Sequence, residues 1–187
     1  MKPTIFYLYG FSGTGKYTIA KAICELEDVK LVDNHLINIP LFTLLKVDGK
    51  TPLPSQIWDN VGKIWDAVLD TIENISPNEY SFVLTNALSN ENPDDQVWFE
   101  RVSKASENSK RLFIPIRLII DIEENERRII SEERSHRLKE TDPKAPKRNA
   151  QNSVLLSEHP HELTLDVTNL SPMEAARAIL AHAASYH

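Results

Sequence analysis

A nine-residue stretch, GFSGTGKYT from Gly10 to Thr18, constrains the fold of this chain more than any other feature. It follows the apolar run Thr4–Tyr9 and precedes a helical pattern. The glycines at positions 10, 13 and 15 can adopt backbone angles that other residues avoid, so that successive N–H groups curl around an anion. The helix that follows directs its unpaired N–H groups and the positive end of its dipole at the same anion. The stretch therefore predicts a phosphate-binding loop and a nucleoside phosphate as its ligand.

The match to the pattern G-x-x-x-x-G-K is complete, and Lys16 is expected to bring a mobile positive charge to the β- and γ-phosphates. The pattern continues with Ser or Thr as a magnesium ligand, whereas this chain has Tyr17 there and a hydroxyl one step later, at Thr18. An ordinary glycine turn with a solvated lysine is disfavoured, because the preceding strand, the glycine spacing and the following helix all fit a phosphate-binding loop. The residues expected to contact the nucleotide are Gly10, Phe11, Ser12, Gly13, Thr14, Gly15, Lys16, Tyr17 and Thr18.

The overall composition is that of an ordinary globular protein. With 187 residues, the chain is expected to form a single domain over 1–187 with a sizeable core. The net charge of −6 argues against a general nucleic-acid binder. The single cysteine, Cys24, excludes an intrachain disulfide and fits a reducing cytoplasm, where we expect the protein. No apolar run approaches the length of a membrane span, so no membrane partner is expected, and the oligomeric state is left open.

Apolar runs alternate with helical patterns, which is typical of βαβ units and a mainly parallel sheet. The runs predict strands at 4–9, 29–32, 81–84, 113–120 and 163–167. Pro115 is expected near the beginning of the fourth strand, because proline lacks a donor for the ladder. Helices are predicted at 17–26, 55–75 and 95–106, and a last one begins at Pro172 with Ser171 as N-cap and Glu174 closing a capping box. These elements make a three-layer α/β sandwich with five strands.

Two stretches lack the composition of a core. Residues 46–54 contain two prolines and a glycine, and residues 131–153 are highly charged with few apolar side chains. In a protein with a phosphate-binding loop, mobile inserts at the carboxyl ends of the strands often bind or cover the substrate. We therefore expect a substrate-binding segment at 34–75 and a lid at 131–153, while a solvated surface loop stays the alternative for each.

Polar side chains near the ends of the second and third strands are the candidate acceptor site. Asp33 ends the second strand, where a doubly wound sheet faces its ligand crevice. Its carboxylate could hold a substrate hydroxyl, take its proton or bind magnesium, or it could merely cap the following helix. His35 could share in proton transfer or be structural. Thr85, Asn86 and Trp58 are the further candidates for substrate contacts.

A run of arginines opens the charged insert. An arginine that swings over the γ-phosphate can neutralise the charge that develops during transfer. Arg134 is the first candidate for this role, and Arg128 or Arg137 is the second. Glutamates in the same run support the alternative of an exposed helix with weak ion pairs.

These motifs together resemble the nucleoside-monophosphate-kinase-like branch of phosphate-loop proteins, especially shikimate kinase and gluconate kinase and the small AAA-type ATPases grouped with them. The resemblance implies a three-layer fold with a lid insert, ATP with Mg²⁺, and a small-molecule acceptor. By likeness to the adenylate-kinase loop, Thr18 takes a phosphate or magnesium contact. Asp33 matches the aspartate that positions the acceptor hydroxyl and is a further metal candidate. The turn that contains Ser171 and Pro172 matches the segment that flanks adenine in shikimate kinase.

The chain departs from shikimate kinase at the acceptor side. The third strand is followed by Thr85-Asn86-Ala87 rather than a glycine-rich turn, and no arginine pair follows Asp33 to clamp a carboxylate. The acceptor is thus left open. The leading prediction is ATP-dependent phosphotransfer to a hydroxyl of a small molecule. The alternatives are an ATP- or GTP-binding regulatory or interaction protein with slow hydrolysis, and a toxin-type kinase that acts on a nucleotide sugar.

Overall fold

The computed structural model of the chain describes residues 2–48, 51, 53–130, 141–149 and 151–186. Five strands form one sheet in the order β2-β3-β1-β4-β5, and every neighbouring pair is parallel. The predicted five-stranded α/β fold is therefore confirmed. The strands are β1 (Thr4–Tyr9), β2 (Val29–Asp33), β3 (Ser81–Asn86), β4 (Leu112–Ile119) and β5 (Leu163–Asp166).

Seven helices connect or follow these strands in the described part of the chain. They are α1 (Lys16–Leu26), α2 (Asn34–Phe42), α3 (Ile57–Asn74), α4 (Pro93–Asn108), α5 (Ile122–Ile129), α6 (Ala145–Asn149) and α7 (Pro172–Ala184). The last helix begins as expected, because Ser171 and Glu174 exchange the two hydrogen bonds of a capping box.

Both faces of the sheet are covered, as the near-continuous apolar strand β1 requires. Alternate residues of a strand point to opposite faces. Tyr7 and its like-facing neighbours pack with α2, α3 and α4, whereas Phe6 and Leu8 pack with α1 and α7. The two cores make the three layers of the sandwich, and the carboxyl ends of the strands are left as one shared edge.

Two details of the packing differ from the sequence-based expectation. Pro115 pairs with Tyr7 inside β4, so its expected place near the beginning of the strand is wrong. A proline is tolerated there because β5 pairs with β4 only from Ile116 onward. The sequence also predicts an apolar stripe on α3 that includes Val68, whereas the fully buried residue there is its neighbour Leu69.

The chain returns from α6 to β5 through residues 151–162, which we call the strap. Val154 in the strap forms an antiparallel bridge with Ser89, and the amide of Leu155 donates to the carbonyl of Leu88 at 3.1 Å. Glu91 accepts from the Ser153 amide at 3.0 Å, so the strap is tied to the loop after β3. Of the predicted lid at 131–153, residues 131–140 and 150 lie outside the described residues, and the rest contains α6 and the beginning of the strap.

Candidate active site

The loop between β1 and α1 has the backbone of an anion-binding turn. Gly13 and Gly15 adopt φ angles of 91° and 84°, which residues with a side chain rarely adopt. Gly15 precedes the first residue of α1, and no side chain caps that helix among the described residues. The amides of the first turn of α1 are therefore available to a phosphate, as the loop pattern predicts.

Lys16 lies over this loop rather than away from it. Its Nζ donates to the carbonyl oxygens of Gly10 at 2.6 Å and of Phe11 at 2.9 Å. A lysine held by two loop carbonyls can turn its ammonium toward a phosphate without moving its backbone. This position fits the expected contact of Lys16 with the β- and γ-phosphates.

The hydroxyl of the loop is on Thr18, one position later than the common pattern has it. Thr18 is exposed, and its Oγ1 donates to the Gly15 carbonyl at 2.8 Å. The ring of Tyr17 lies beside Lys21, whose Nζ is 5.9 Å from the ring centroid. The first turn of α1 thus presents one aliphatic hydroxyl, on Thr18, next to the phosphate-binding amides.

Asn125 is a functional candidate that the sequence analysis missed. It lies on α5, is 5% exposed, and its Nδ2 donates to the Ser12 carbonyl at 2.9 Å. A Cβ built on Gly13 would come within 2.6 Å of the same Nδ2. Asn125 therefore holds the phosphate-binding loop in place. The sequence does contain a signal for Asn125, because a polar residue four positions before the apolar Ile129 lies on the same, inner face of α5.

Of the three candidate arginines, the structure describes Arg128. Its guanidinium donates to Glu124 at 2.6 Å and to the carbonyls of Val167 and Thr168 at 3.0 and 3.1 Å. A Cβ on Gly15 would lie 3.9 Å from Nη1 of Arg128, so the side chain borders the phosphate-binding loop. Arg134 and Arg137 lie outside the described residues, and their predicted roles stay predictions.

Glu124 holds the Arg128 side chain in this position. It accepts from Arg127 at 2.7 Å and from Arg128 at 2.6 Å, and these hydrogen bonds lower the pKa of its carboxyl group to about 2. The loop between β5 and α7 joins α5 here, because the Thr168 hydroxyl accepts from the Asp121 amide at 2.8 Å. Ser171 lies on this loop but uses its hydroxyl in the capping box. The adenine contacts expected of Ser171 and Pro172 stay predictions.

On the other side of the loop, Asp33 ends β2 and is only 3% exposed. Its Oδ1 accepts from the Thr85 hydroxyl at 2.6 Å, and its side chain makes no capping bond to α2. Instead, Thr85 Oγ1 accepts from the Asn34 amide at 3.1 Å, so the threonine of β3 caps that helix. Asp33 thus occupies the N-cap position of α2, but its side chain does not make the capping bond.

Asn86 continues this hydrogen-bonded edge toward the phosphate-binding loop. Its carbonyl accepts from the Gly10 amide at 3.3 Å. The side-chain oxygen of Asn86 faces Trp98 and Tyr7, and it accepts from the Trp98 indole at 2.5 Å and from the Tyr7 hydroxyl at 3.1 Å. Burial raises the pKa of the Tyr7 phenol, so this hydroxyl stays protonated as a donor. Thr85 and Asn86 are both buried and position other groups of the edge.

His35 and Trp58 lie further from the sheet. His35 is partly buried in the first turn of α2, two positions after Asp33. Trp58 is 51% exposed in the first turn of α3, and its ring meets that of Phe42 at a centroid distance of 6.0 Å. Phe42 ends α2, about 12 Å from the beginning of that helix at 1.5 Å per residue. Trp58 therefore contacts the carboxyl-terminal end of α2, whereas Asp33 precedes its amino-terminal end.

A cavity of 240 Å³ lies beside the phosphate-binding loop on the β4 side. Its walls are Phe11 and Thr14 of the loop, the end of β4, the first turns of α5, and residues of α6 and the strap. No group of three or more His, Cys, Asp and Glu side chains in the described ranges could hold a metal ion by itself. None of the described helices is both long and apolar enough to cross a bilayer.

The comparisons with known proteins rest on structure. No family model matches the sequence, and no curated protein sequence matches it. Among solved structures, a gluconokinase from Sinorhizobium meliloti 1021 is similar over 98% of this chain and 93% of its own, with 15% identity and a TM-score of 0.66. The APS kinase of Mycobacterium tuberculosis, solved with AMPPNP and APS, is similar over 98% of both chains, with 14% identity and a TM-score of 0.63.

A shikimate kinase from Bacteroides thetaiotaomicron is similar over 98% of this chain and 97% of its own. The identity is 13% and the TM-score is 0.56. Similarity at this level of identity concerns the fold, and the three proteins share it although their names give three different acceptors. The chain therefore has the fold of the P-loop small-molecule kinases.

Proposed function

We propose that the protein transfers the γ-phosphoryl group of ATP to a hydroxyl group of a small molecule. The observation that supports this most is the buried carboxylate of Asp33, which accepts a hydrogen bond from Thr85. Asp33 ends β2, and β2 lies two strands away from β1 and the phosphate-binding loop that follows it. Two strand spacings amount to about 10 Å, which leaves room for an acceptor hydroxyl between Asp33 and a bound γ-phosphate. A carboxylate at this distance can serve an acceptor hydroxyl in phosphotransfer.

The phosphate-binding loop supplies the donor side of the reaction. Its amides and the beginning of α1 bind the β- and γ-phosphates, and Lys16 neutralises charge that develops on the transferring group. Arg128 borders the loop at Gly15 and contributes positive potential there. Arg134 and Arg137 are the proposed lid arginines.

The acceptor side needs a group that orients and deprotonates a hydroxyl. The acceptor oxygen forms a bond to the γ-phosphorus, while the bond from that phosphorus to the β–γ bridging oxygen breaks and ADP leaves. The proton of the hydroxyl passes to the Asp33 carboxylate. Thr85 keeps this carboxylate in position.

The residues of the site fit Mg²⁺ as it is bound in other phosphoryl-transfer sites. Mg²⁺ prefers oxygen ligands and is held by one or two protein groups together with substrate phosphates and water. Thr18 presents an exposed hydroxyl on the first turn of α1, and Asp33 presents a carboxylate across the crevice. When bound, Mg²⁺ would neutralise phosphate charge. Tyr17 does not take part in this ligand set.

The test is radiolabelled transfer from [γ-³²P]ATP to a metabolite mixture, with wild-type protein and two lysine variants. Lys16→Ala is expected to lower transfer by about 100-fold or more, because it removes a charge aimed at the transferring group. Lys21→Ala removes an equal charge from the exposed face of the same helix and is expected to retain wild-type transfer. ATP binding with slow hydrolysis that no metabolite stimulates would favour the regulatory alternative. Label found only on nucleotide sugars would favour the toxin-type kinase.

A further inference from the structure

The cavity beside the phosphate-binding loop has a charged side chain, Arg117, in its wall. Arg117 lies near the end of β4 and pairs with Tyr9, the last residue of β1 before the loop. Its Nε and Nη2 donate to the carbonyl of Val154 at 3.2 and 3.1 Å, and Val154 lines the same cavity. The strap therefore holds the guanidinium at the border between β4 and the cavity.

Arg117 keeps its positive charge in this position. Arginine stays protonated in proteins, and the Val154 carbonyl carries no charge that would neutralise it. Glu162 of the strap is engaged elsewhere, since it accepts from the Tyr9 hydroxyl at 2.5 Å and from the Ser157 amide at 3.0 Å. A guanidinium has more N–H donors than the bonds to Val154 use, so Arg117 can also donate to a ligand.

The rest of the wall combines apolar and uncharged polar side chains. Phe11, Ile122 and Pro146 supply apolar surface, and Asn149 and Asn152 supply amides. Asn152 is exposed, so the cavity can be reached from solvent beside it. Mostly apolar walls with a few polar groups are the usual composition of a small-molecule site.

The volume of the cavity sets the size of its ligand. It measures 240 Å³, whereas an apolar cavity of about 150 Å³ in another protein binds benzene. A single ring with a few substituents therefore fits. Arg117 matches a carboxylate or phosphate substituent, because the planar fork of arginine pairs with these groups through parallel, charge-assisted hydrogen bonds.

We infer that this cavity is a binding site for an anion-bearing small molecule about the size of one ring, whose carboxylate or phosphate group is bound by Arg117. The site is distinct from Asp33, because β4 and β2 lie on opposite sides of β1 and its loop. Two ligands carry this chemistry: the phosphoryl acceptor, and a separate anion that is not phosphorylated. Only the first of these sources rests on the proposed function.

The first experiment measures binding while the phosphate-binding loop is occupied. Saturating AMPPNP with Mg²⁺ keeps other anions off the loop. Benzoate, D-gluconate and D-glucose 6-phosphate are then titrated beside the uncharged benzamide, D-glucitol and D-glucose, and the backbone amide signals are followed by NMR. We expect anions to shift the signals of Phe11, Arg117 and Val154, and the uncharged compounds to bind about tenfold more weakly or less. No binding of these anions, shifts confined to other residues, or equal affinity for both sets would overturn the inference.

The second experiment assigns the binding to Arg117. Arg117→Gln is expected to raise the Kd of the anions by about 10- to 100-fold, the value for one charge-assisted hydrogen bond, with AMPPNP binding unchanged. Arg117→Lys keeps the charge and a donor for Val154, and it should retain part of the affinity. Arg177→Gln removes an equal charge from the exposed surface of α7 and is the control. Wild-type anion affinity in Arg117→Gln would overturn the inference.

Transfer from [γ-³²P]ATP distinguishes the two sources of the anion. An acceptor in the site gains the label, and Arg117→Gln raises its KM by the factor found for its Kd. A separate anion is recovered without label. Both results support the site. Failure to bind AMPPNP, or to label any acceptor, would contradict the proposed function and leave the anion site to the binding experiments.

Asn152→Asp tests the site without touching the contact between Arg117 and the strap. The change keeps the size of an exposed side chain and places a negative charge on the wall of the cavity. We expect the affinity for the anions to fall severalfold through like-charge repulsion, and the loss to shrink at high salt. The affinity for the uncharged compounds and the melting temperature should stay those of the wild type. A folded variant with unchanged affinity for the anions would overturn the inference.

Discussion

The hydroxyl of Thr85 donates to the carboxylate of Asp33 at 2.6 Å and accepts from the amide of Asn34 at 3.1 Å. Thr85 on β3 thus has two roles at the end of β2: it caps helix α2 and it holds the Asp33 carboxylate in position. Aspartate directly before a helix is often its cap. Here the capping bond comes from a residue of the neighbouring strand, and the Asp33 side chain makes none.

Thr85→Val tests this division of roles. Valine keeps the shape of threonine and removes both hydrogen bonds, so Asp33 loses its positioning contact. We expect kcat for phosphotransfer to fall about tenfold, corresponding to a loss of roughly 1.4 kcal/mol of transition-state stabilisation. The ATP KM should be unchanged. Thr85→Ser keeps the hydroxyl and should retain most of the activity, and equal rates for the two variants would rule out the positioning role.

Gly13 is the loop position where a side chain meets two separate obstacles. Its φ of 91° strains any L residue, and a Cβ would lie 2.6 Å from Nδ2 of Asn125. Gly13→Ala is expected to lower the free energy of unfolding by roughly 1–3 kcal/mol, measured by urea denaturation, and to weaken ATP binding. Because Asn125→Ala also removes the hydrogen bond to Ser12, a double-mutant cycle with this variant is needed, and its coupling free energy measures the part due to the clash. Stability and ATP affinity equal to the wild type in Gly13→Ala would contradict the described loop geometry.

The sequence predicted the parts of the fold that local patterns encode. The loop between β1 and α1 is fixed by glycine spacing, and the capping box of α7 by two side chains three residues apart. Asn125 and Thr85 acquire their roles through contacts with Ser12 and Asp33, more than 50 positions away in the chain. Such contacts depend on the arrangement of the strands in the sheet, which local patterns do not give.

Pro115 illustrates the same limit inside a strand. The rule that proline avoids a ladder is sound, but the pairing of β4 depends on where β5 begins. Since β5 starts opposite Ile116, the strand can hold a proline one position earlier.

The strap contains a histidine whose protonation should affect stability. Nδ1 of His159 accepts from the His161 amide at 3.1 Å, and its ring meets Phe113 at a centroid distance of 5.3 Å. Burial and then the charge of His161 lower the pKa of His159, while Glu162 and Glu107 oppose this shift. The neutral ring is therefore the form that the fold favours.

The sign of the pH effect follows from this lowered pKa. The unfolded chain takes up the proton near the ordinary pKa of about 6.5, before the folded chain does. Stability from His159 is therefore complete above that value and is lost as the pH falls toward the folded pKa. We expect the melting temperature to decrease between pH 7 and pH 5. His159→Asn keeps an acceptor for the His161 amide without titrating, and it should flatten this decrease; an unchanged slope would exclude His159 as the cause.

In the proposed reaction, Asp33 receives the proton of an acceptor hydroxyl. Asp33→Asn keeps the oxygen that accepts from Thr85 and removes the base and its charge. The decisive measurement is the rate of transfer from [γ-³²P]ATP to the acceptor by this variant, beside its ATP affinity and melting temperature. Transfer is expected to fall by about 100-fold or more, with ATP affinity and melting temperature close to those of the wild type. Transfer at the wild-type rate would contradict this role of Asp33.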